Sequence, residues 1–238
     1  MAAFLLIHGS CHGAWCWRDL IRELEQAGHR ARAIDLPGRA ADARPVRDMT
    51  LDLYAQDIVS QIADEPVHLL GHSAGGFAIA AAAELAPTKI ARLYYLCAYA
   101  PRDGLSMIDM RREQPRQPLL GAVRKSSDGL SYSADPAQAV PLFYHDVAST
   151  TAHWATERLC PEPIRPQATP ITLGAAYASV PRCYIRCTDD RTIPPEYQAQ
   201  MAATFAPEDR YEMPTSHSPF LSDPAGLAVL LTQIAGAN

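Results

Sequence analysis

Short apolar segments alternate with segments of helical spacing along the first hundred residues, and this alternation constrains the fold most. Apolar runs predict strands at residues 3–8, 30–35, 67–71 and 91–97, and helical spacing predicts helices at residues 15–27, 51–63 and 74–85. Strands that alternate with helices form parallel sheets covered on both faces. The alternation returns with predicted strands at 182–187 and 210–213 and predicted helices at 195–205 and 224–234. We therefore expect an α/β fold with a mostly parallel sheet of about six strands, flanked by helices.

The chain has the size of one globular unit, with 238 residues, 48% hydrophobic residues and 20% charged residues. Residues 101–174 differ from the rest, because the alternation stops and proline becomes frequent. This stretch also gathers five basic residues, namely Arg111, Arg112, Arg116, Arg124 and Lys125. Helical spacing persists at residues 137–143 and 150–159. We expect a core of residues 1–100 and 175–238 with an inserted helical cap, or lid, at residues 101–174.

Charge and composition exclude several classes of partner. The formal net charge of −5 and a pI of about 5.9 provide no basic surface for a nucleic acid. The N-terminal apolar run ends after five residues at His8, too early for a membrane segment or a signal peptide. The six cysteines are scattered and lack the spacing of a zinc site, so we expect them to be small, buried hydrophobic residues. We expect a cytoplasmic protein with no membrane partner, cofactor, metal or disulfide. The sequence leaves open whether the protein forms a homodimer.

The sequence between the third predicted strand and its helix is typical of a nucleophile elbow. It runs Gly71-His72-Ser73-Ala74-Gly75-Gly76 and fits the pattern G-x-S-x-G. Such a serine sits in a strained turn, and the flanking glycines leave close backbone contacts free of side chains. The following helix directs its first amides at the site, so the Ala74 N–H is a candidate oxyanion donor. The simpler alternative is a glycine-rich turn with an incidental serine.

A serine hydroxyl is a poor nucleophile unless a base takes its proton. When the nucleophile lies on such an elbow in a parallel sheet, that base follows the last strand. His217 is the only histidine there, although a surface loop histidine is the plain alternative. The carboxylate that orients the base should follow the preceding strand, where Asp189 and Asp190 are adjacent. Because side chains alternate in direction along an extended chain, only one of them is expected to face the imidazole. The residues alone do not choose between them.

The loop after the first strand should supply the second oxyanion donor. It runs from His8 to Gly13, and we assign the donor to the backbone N–H of Ser10. His8 and His12 are expected to hold this loop in shape rather than to react. Cys11 fits either a pocket wall or a buried filler.

Four blocks of sequence carry a resemblance to a known family. They are residues 6–17 (LIHGSCHGAWCW), the elbow at 71–76, residues 184–190 (YIRCTDD) with Ile193, Pro194 and Gln198, and residues 216–221 (SHSPFL). With these blocks the chain resembles the α/β-hydrolases that include plant methylesterases, the salicylate-binding esterase, hydroxynitrile lyases and bacterial carboxylesterase relatives. The resemblance covers nearly the whole chain. It implies an α/β-hydrolase fold without a cofactor.

The resemblance also implies roles for individual residues. The second acidic position of the Cys-Thr-acid-Asp run belongs to the catalytic triad in that family, which favours Asp190 over Asp189. The family's cap forms an apolar pocket over the serine. Residues expected to contribute to such a pocket here are Gly9, Cys11, His12, Tyr132, Phe143, Tyr144 and Trp154.

Two positions separate esterases from lyases in this resemblance. The lyases carry a threonine where this chain has Gly9, and a lysine directly after the histidine where it has Ser218. The expected function is therefore a serine hydrolase that cleaves small to medium carboxylic esters through an acyl-enzyme intermediate. A lyase or other cofactor-free chemistry on the same scaffold, and a non-catalytic small-molecule receptor, are the alternatives.

Overall fold

A computed structural model describes residues 1–39 and 42–236. The strands are β1 Ala3–Ile7, β2 Arg30–Ile34, β3 Val67–His72, β4 Ile90–Leu96, β5 Val123–Lys125, β6 Ser131–Ala134, β7 Glu162–Pro163, β8 Arg182–Cys187 and β9 Arg210–Met213. The helices are α1 Arg18–Gln26, α2 Leu51–Ser60, α3 Gly75–Leu85, α4 Met107–Arg112, α5 Pro136–Phe143, α6 Ser149–Thr156, α7 Arg165–Ala168, α8 Ala175–Ala178, α9 Pro195–Ala202, α10 Pro219–Ser222 and α11 Pro224–Gly236. Short 3₁₀ turns lie at Ala14–Trp17, Val46–Asp48, Pro87–Lys89 and Pro207–Asp209.

Six strands form one parallel sheet in the order β2-β1-β3-β4-β8-β9. The order reverses between β1 and β3, where Ile7 lies opposite Gly71. A crevice opens at such a reversal, outside the carboxyl ends of the strands, and it is where open α/β sheets bind ligands. The loops that follow β1, β3, β8 and β9 therefore meet at one edge. The fold class predicted from the sequence is confirmed.

Two apolar layers cover the sheet. One contains α2, α3 and α9, in which small side chains such as Ala80 and Ala83 let α3 approach the strands closely. The other contains α1 and α11 and continues into α5 and α6. Within the described residues, no helix is both long enough and apolar enough to cross a membrane.

The inserted segment, residues 101–174, is not purely helical. Besides α4, α5, α6 and α7 it holds a small antiparallel sheet in the order β5-β6-β7, which the sequence did not predict. Its last strand is tied to the loop after β1, because Glu162 accepts a hydrogen bond from the Cys11 N–H at 2.9 Å and the Cys160 N–H donates to the Cys11 carbonyl at 2.9 Å. The segment thus reaches the sheet edge where the crevice opens.

Candidate active site

Ser73 occupies a strained turn between β3 and α3. Its φ of 53° lies in the left-handed region, which side-chain-bearing residues rarely adopt. The turn also needs its glycines: a Cβ on Gly71 would lie 2.8 Å from the Gly75 carbonyl oxygen, and one on Gly75 would lie 2.8 Å from the His8 carbonyl oxygen. The elbow therefore packs backbone against backbone and presents Ser73 at the crevice.

His217, in the loop after β9, is hydrogen-bonded to Asp190 in the loop after β8. The distance from Nδ1 of His217 to Oδ2 of Asp190 is 2.7 Å, and the two side chains are 2% and 0% exposed. A carboxylate only accepts, so the proton of this bond sits on Nδ1. This leaves Nε2 of His217 as the nitrogen with a free lone pair.

Asp190 is fixed by hydrogen bonds to both carboxylate oxygens. Oδ1 accepts from the N–H groups of Thr192 at 2.6 Å and Ile193 at 3.0 Å. Oδ2 accepts from Nε2 of Gln198 at 2.7 Å as well as from His217. Four donors thus use the roughly four lone-pair positions of a carboxylate. These bonds fix the orientation of the carboxylate.

Asp189 has a different environment, because its side chain is exposed. Its backbone carbonyl accepts a hydrogen bond from Nε2 of His145 at 2.9 Å, and its N–H donates to the Thr215 carbonyl at 3.1 Å. Its role in the structure is that of a backbone contact between loops.

Two buried side chains that the sequence analysis did not assign hold the backbone of His217. Nε2–H of His72 donates to the His217 carbonyl at 2.8 Å, and the Cys97 thiol donates to the same oxygen at 3.5 Å. Burial lowers the pKa of His72 well below its usual value, so the ring is neutral. The position of His72 inside the elbow was the one available signal for this role.

The ligand atoms of His72, Cys97 and His217 lie within 4.8 Å of one another, a spacing that a metal ion could bridge. Burial raises the pKa of the Cys97 thiol well above its usual value, which disfavours the thiolate that binds metals. The chemistry of this donor set fits hydrogen bonding to the His217 carbonyl better than metal binding.

The backbone N–H groups of Ser10 and Ala74 face the same edge of the sheet. Across residues 1–39 and 42–236, neither group donates to another protein atom. The Ser10 loop is held by its other atoms: Nδ1 of His12 donates to the Ser10 carbonyl at 2.8 Å, and Nε2 of Gln167 donates to the Ser10 hydroxyl at 2.8 Å. An oxyanion hole requires two fixed amides without other partners, and these two amides meet that requirement.

A buried ion pair stabilises the loop after β1, which contains Ser10 and Cys11. Nη2 of Arg39 lies 2.7 Å from Oε2 of Glu162, and both side chains are under 5% exposed. The same carboxylate oxygen accepts the Cys11 N–H. Cys11 itself has a φ of 62°, so the ion pair stabilises a turn that is strained for a non-glycine residue.

His8 and His12 hold the loop after β1, as the sequence analysis expected. Nδ1–H of His8 donates to the Gly9 carbonyl at 2.9 Å, and its Nε2 accepts the Leu36 N–H at 3.1 Å. His12 accepts the Tyr144 hydroxyl on Nε2 at 2.7 Å. Burial lowers the pKa of His12 to about 4, so it is neutral at physiological pH.

One narrow cavity, called here the catalytic cavity, contains both Ser73 and His217. Of the expected pocket residues it is lined by Cys11, His12, Tyr132 and Phe143. Several other residues line the cavity that no sequence pattern had indicated, namely Tyr99, Met107, Arg111, Leu119, Val123, Ala134, Thr192 and Ile193. The cavity lies between the sheet edge and the inserted segment, and its lining is mainly apolar and aromatic.

Three expected pocket residues, Gly9, Tyr144 and Trp154, do not line this cavity. Gly9 lines an adjoining cavity with Ser10 and Ala74, and a Cβ on it would lie 2.8 Å from Cβ of Ser73. Tyr144 is fully buried and uses its hydroxyl to hold His12.

Trp154 is outside the catalytic cavity altogether. It packs edge-on against Trp15, with ring centroids 5.3 Å apart. The Cζ atoms of Arg18 and Arg158 lie 3.7 Å and 4.4 Å from its ring centroid, so cations contact the aromatic ring. These contacts hold the ring between α6 and the start of α1, so the structure does not bring Trp154 to the cavity lining where the sequence led us to expect it.

The sequence profile of the Alpha/beta hydrolase family matches residues 4–230. The chain belongs to this family. It is 30% identical to methylesterase 3 of Arabidopsis thaliana over 97% of this chain and 95% of that protein, and 29% identical to salicylic acid-binding protein 2 of Nicotiana tabacum over 98% and 96%. The resemblance drawn from the sequence is therefore confirmed.

Solved structures agree with this assignment. A pyrethroid hydrolase from Sphingobium faniae JZ-2 superposes with a TM-score of 0.86 at 26% identity, covering 99% of this chain and 98% of that one. Polyneuridine aldehyde esterase superposes with a TM-score of 0.86 at 26% identity, covering 99% of both chains. These relatives support an enzyme with an esterase function.

Proposed function

We propose that this chain is a serine carboxylesterase that hydrolyses small to medium esters through an acyl-enzyme. Ser73 is the nucleophile, His217 the general base and acid, and Asp190 the residue that orients His217. The observation that carries the proposal is the 2.7 Å hydrogen bond between Asp190 and Nδ1 of His217, which leaves Nε2 to serve a strained serine in the same cavity.

The reaction proceeds in two halves. Nε2 of His217 takes the hydroxyl proton as Ser73 attacks the ester carbonyl, and the resulting oxyanion is held by the N–H groups of Ser10 and Ala74. The histidine then gives its proton to the departing alcohol. A water molecule, deprotonated by the same Nε2, attacks the acyl-enzyme, and Ser73 regains its proton when the acid leaves. Asp190 stabilises the imidazolium that forms in each half.

The enclosure of the site supports a substrate of limited size. His217 is 2% exposed and Ser73 is 7% exposed, so an ester reaches them only after a displacement of side chains or of the inserted segment. We propose that residues 101–174 act as a cap over a core formed by residues 1–100 and 175–238, and that Tyr132 and Phe143 shape the acyl or alcohol site.

Gly9 and Ser218 favour hydrolysis over cyanohydrin cleavage. A side chain at Gly9 would collide with the Cβ of Ser73 and with Nδ1 of His72, both 2.8 Å away, so the site has no room for the threonine expected of a lyase. Ser218 is fully buried and supplies no positive charge for a departing anion. We infer an oxyanion site instead.

Three variants test the assignment with p-nitrophenyl acetate and butyrate as substrates. Ser73→Ala, His217→Ala and the double variant should each lose on the order of 10⁴-fold in kcat, because members of a triad act as a unit and their losses do not add. His153→Ala, whose side chain is 78% exposed, is the matched histidine control and should be fully active.

A fluorophosphonate should add one label to the peptide that contains Ser73. Circular dichroism confirms that each variant is folded. The proposal is wrong if folded Ser73→Ala keeps more than about a tenth of wild-type turnover, given the size of the expected loss. Absence of turnover and of labelling in the wild-type protein would instead favour a non-catalytic receptor.

A further inference from the structure

The catalytic cavity contains a positive charge that the proposed ester chemistry does not use. Arg111 lies in the last turn of α4, is half-buried, and lines the cavity with Ser73 and His217. Met107, four residues earlier on the same helix, also lines it, which fits the shared face of residues at this spacing. Among the described residues of the lining, Arg111 is the one lysine, arginine or carboxylate.

Neighbouring arginines of the inserted segment behave differently, because each is paired with a carboxylate. Arg102 pairs with Glu113, Arg112 pairs with Asp109 at 3.3 Å, and Arg116 pairs with Glu196 at 2.8 Å.

Arg111 has no such partner in the part of the chain that the structure describes. A half-buried guanidinium without a counter-ion is costly to desolvate. An anion that enters the cavity would offset this cost.

Tyr99 supplies a second donor beside Arg111. Its hydroxyl oxygen accepts a hydrogen bond from Nε2 of Gln114 at 2.8 Å, so its own proton is available to another acceptor. Burial raises the pKa of this hydroxyl, which keeps the proton on it, although the positive charge of Arg111 opposes the rise. The side chains of Tyr99 and Arg111 line the same cavity.

Tyr99 is also next to the nucleophile. Its backbone N–H donates to the Ser73 carbonyl at 3.1 Å. Tyr99 and Arg111 thus both line the cavity that contains Ser73, and Tyr99 is bonded to the elbow itself.

We propose that Arg111 and Tyr99 bind a carboxylate that the ester substrate itself carries. A planar guanidinium can make two parallel hydrogen bonds to a carboxylate, which makes arginine well suited to this group. The substrate class is then a short half-ester, in which one carboxyl of a dicarboxylic acid is esterified and the other is free. This inference rests on the proposed esterase function and specifies its substrate.

The first test compares monomethyl and dimethyl esters of the diacids from malonate to adipate. For each diacid the two esters differ mainly in one charge, so the ratio of their kcat/KM values isolates the recognition of the carboxylate. The wild-type ratio should exceed about tenfold and peak at one chain length, because the distance from Ser73 to Arg111 is fixed.

Arg111→Gln should lower this ratio by about tenfold or more, to a value near one, as expected for the loss of a charged hydrogen bond. Arg111→Lys should retain part of it. Arg112→Gln is the matched control: it removes the adjacent, exposed charge and should leave both kcat/KM values unchanged. A ratio near one at every chain length in the wild type would overturn the inference and leave the esterase proposal intact.

A binding measurement separates the two proposals. Calorimetry with glutarate and the other free diacids, on Ser73→Ala and on Ser73→Ala with Arg111→Gln, requires no turnover. Binding that is about tenfold or more weaker without Arg111 supports the carboxylate site even if no ester is hydrolysed, in which case the esterase proposal fails. Equal or undetectable binding in both proteins overturns the carboxylate site.

Discussion

Replacing Asp190 by asparagine should remove most of the activity, because every lone pair of this carboxylate faces a donor. Thr192 and Ile193 donate to Oδ1, while His217 and Gln198 donate to Oδ2. Asparagine keeps the shape but offers one oxygen with two lone pairs and one NH₂ group. Two of the four donors must therefore face another donor.

The two orientations of the new amide have different costs. If the NH₂ faces the backbone amides of Thr192 and Ile193, two buried N–H groups lose their partners at about 1–3 kcal/mol each. If it faces His217, the imidazole can move its proton to Nε2 and accept on Nδ1. The second arrangement is cheaper, and it places a proton on the nitrogen that must receive one from Ser73. We expect a fall in kcat of about 10²- to 10⁴-fold.

The assay is kcat and kcat/KM on p-nitrophenyl butyrate between pH 6 and 9, with circular dichroism as the check of folding. Asp189→Asn is the control, because the Asp189 side chain is exposed and its contacts to His145 and Thr215 use backbone atoms. It should stay within about threefold of the wild type, as surface substitutions usually do. The reasoning is refuted if Asp189→Asn proves the more damaging of the two, or if folded Asp190→Asn keeps a tenth of the activity.

Three further predictions concern stability. Glu162→Gln leaves the buried charge of Arg39 unpaired and should lower the free energy of unfolding by about 3–5 kcal/mol, measured by urea unfolding; an effect under 1 kcal/mol would contradict it. Trp154→Ala should cost about 1–2 kcal/mol through its two cation contacts and leave the preference between short and long esters unchanged, whereas altered selectivity would restore a pocket role. Because unfolded His12 titrates near 6.5 and the folded residue near 4, unfolding takes up a proton between these values and stability should fall as the pH is lowered through this window, by up to about 1.4 kcal/mol per pH unit. His12→Gln should flatten that slope in urea titrations at pH 7, 6 and 5, and an identical slope would count against the assignment.

The choice between the two aspartates shows where sequence patterns stop. Alternation of side chains holds along a strand, but β8 ends at Cys187 and both aspartates lie in the loop beyond it. There the direction of a side chain depends on the turn. Oδ1 of Asp190 accepts from the N–H groups two and three residues ahead, those of Thr192 and Ile193, which is a local preference of aspartate. These two bonds turn Oδ2 towards His217. The resemblance to a family selected the residue that alternation could not.

The inserted segment was predictable in outline only. Its strands have three, four and two residues, too few for an alternating pattern to appear, and one of them contains Pro163. The pairing of Arg39 with Glu162 joins residues 123 positions apart in the sequence. Nothing local in the sequence indicates such a contact. By contrast, the elbow and the final histidine depend on short motifs placed by the order of strands, and these were found directly.

The basic cluster of the inserted segment illustrates how helix geometry separates residues that look alike in sequence. Arg111 and Arg112 are adjacent, so they point about 100° apart around α4. Met107 and Met110 are buried and define the inward side of this helix. Arg111 follows Met107 by four residues and therefore falls on the same side, whereas Arg112 turns outward to Asp109. A half-buried charge on the side of a helix that lines the cavity with Ser73 is only partly solvated, which is the physical reason to look there for a determinant of substrate choice.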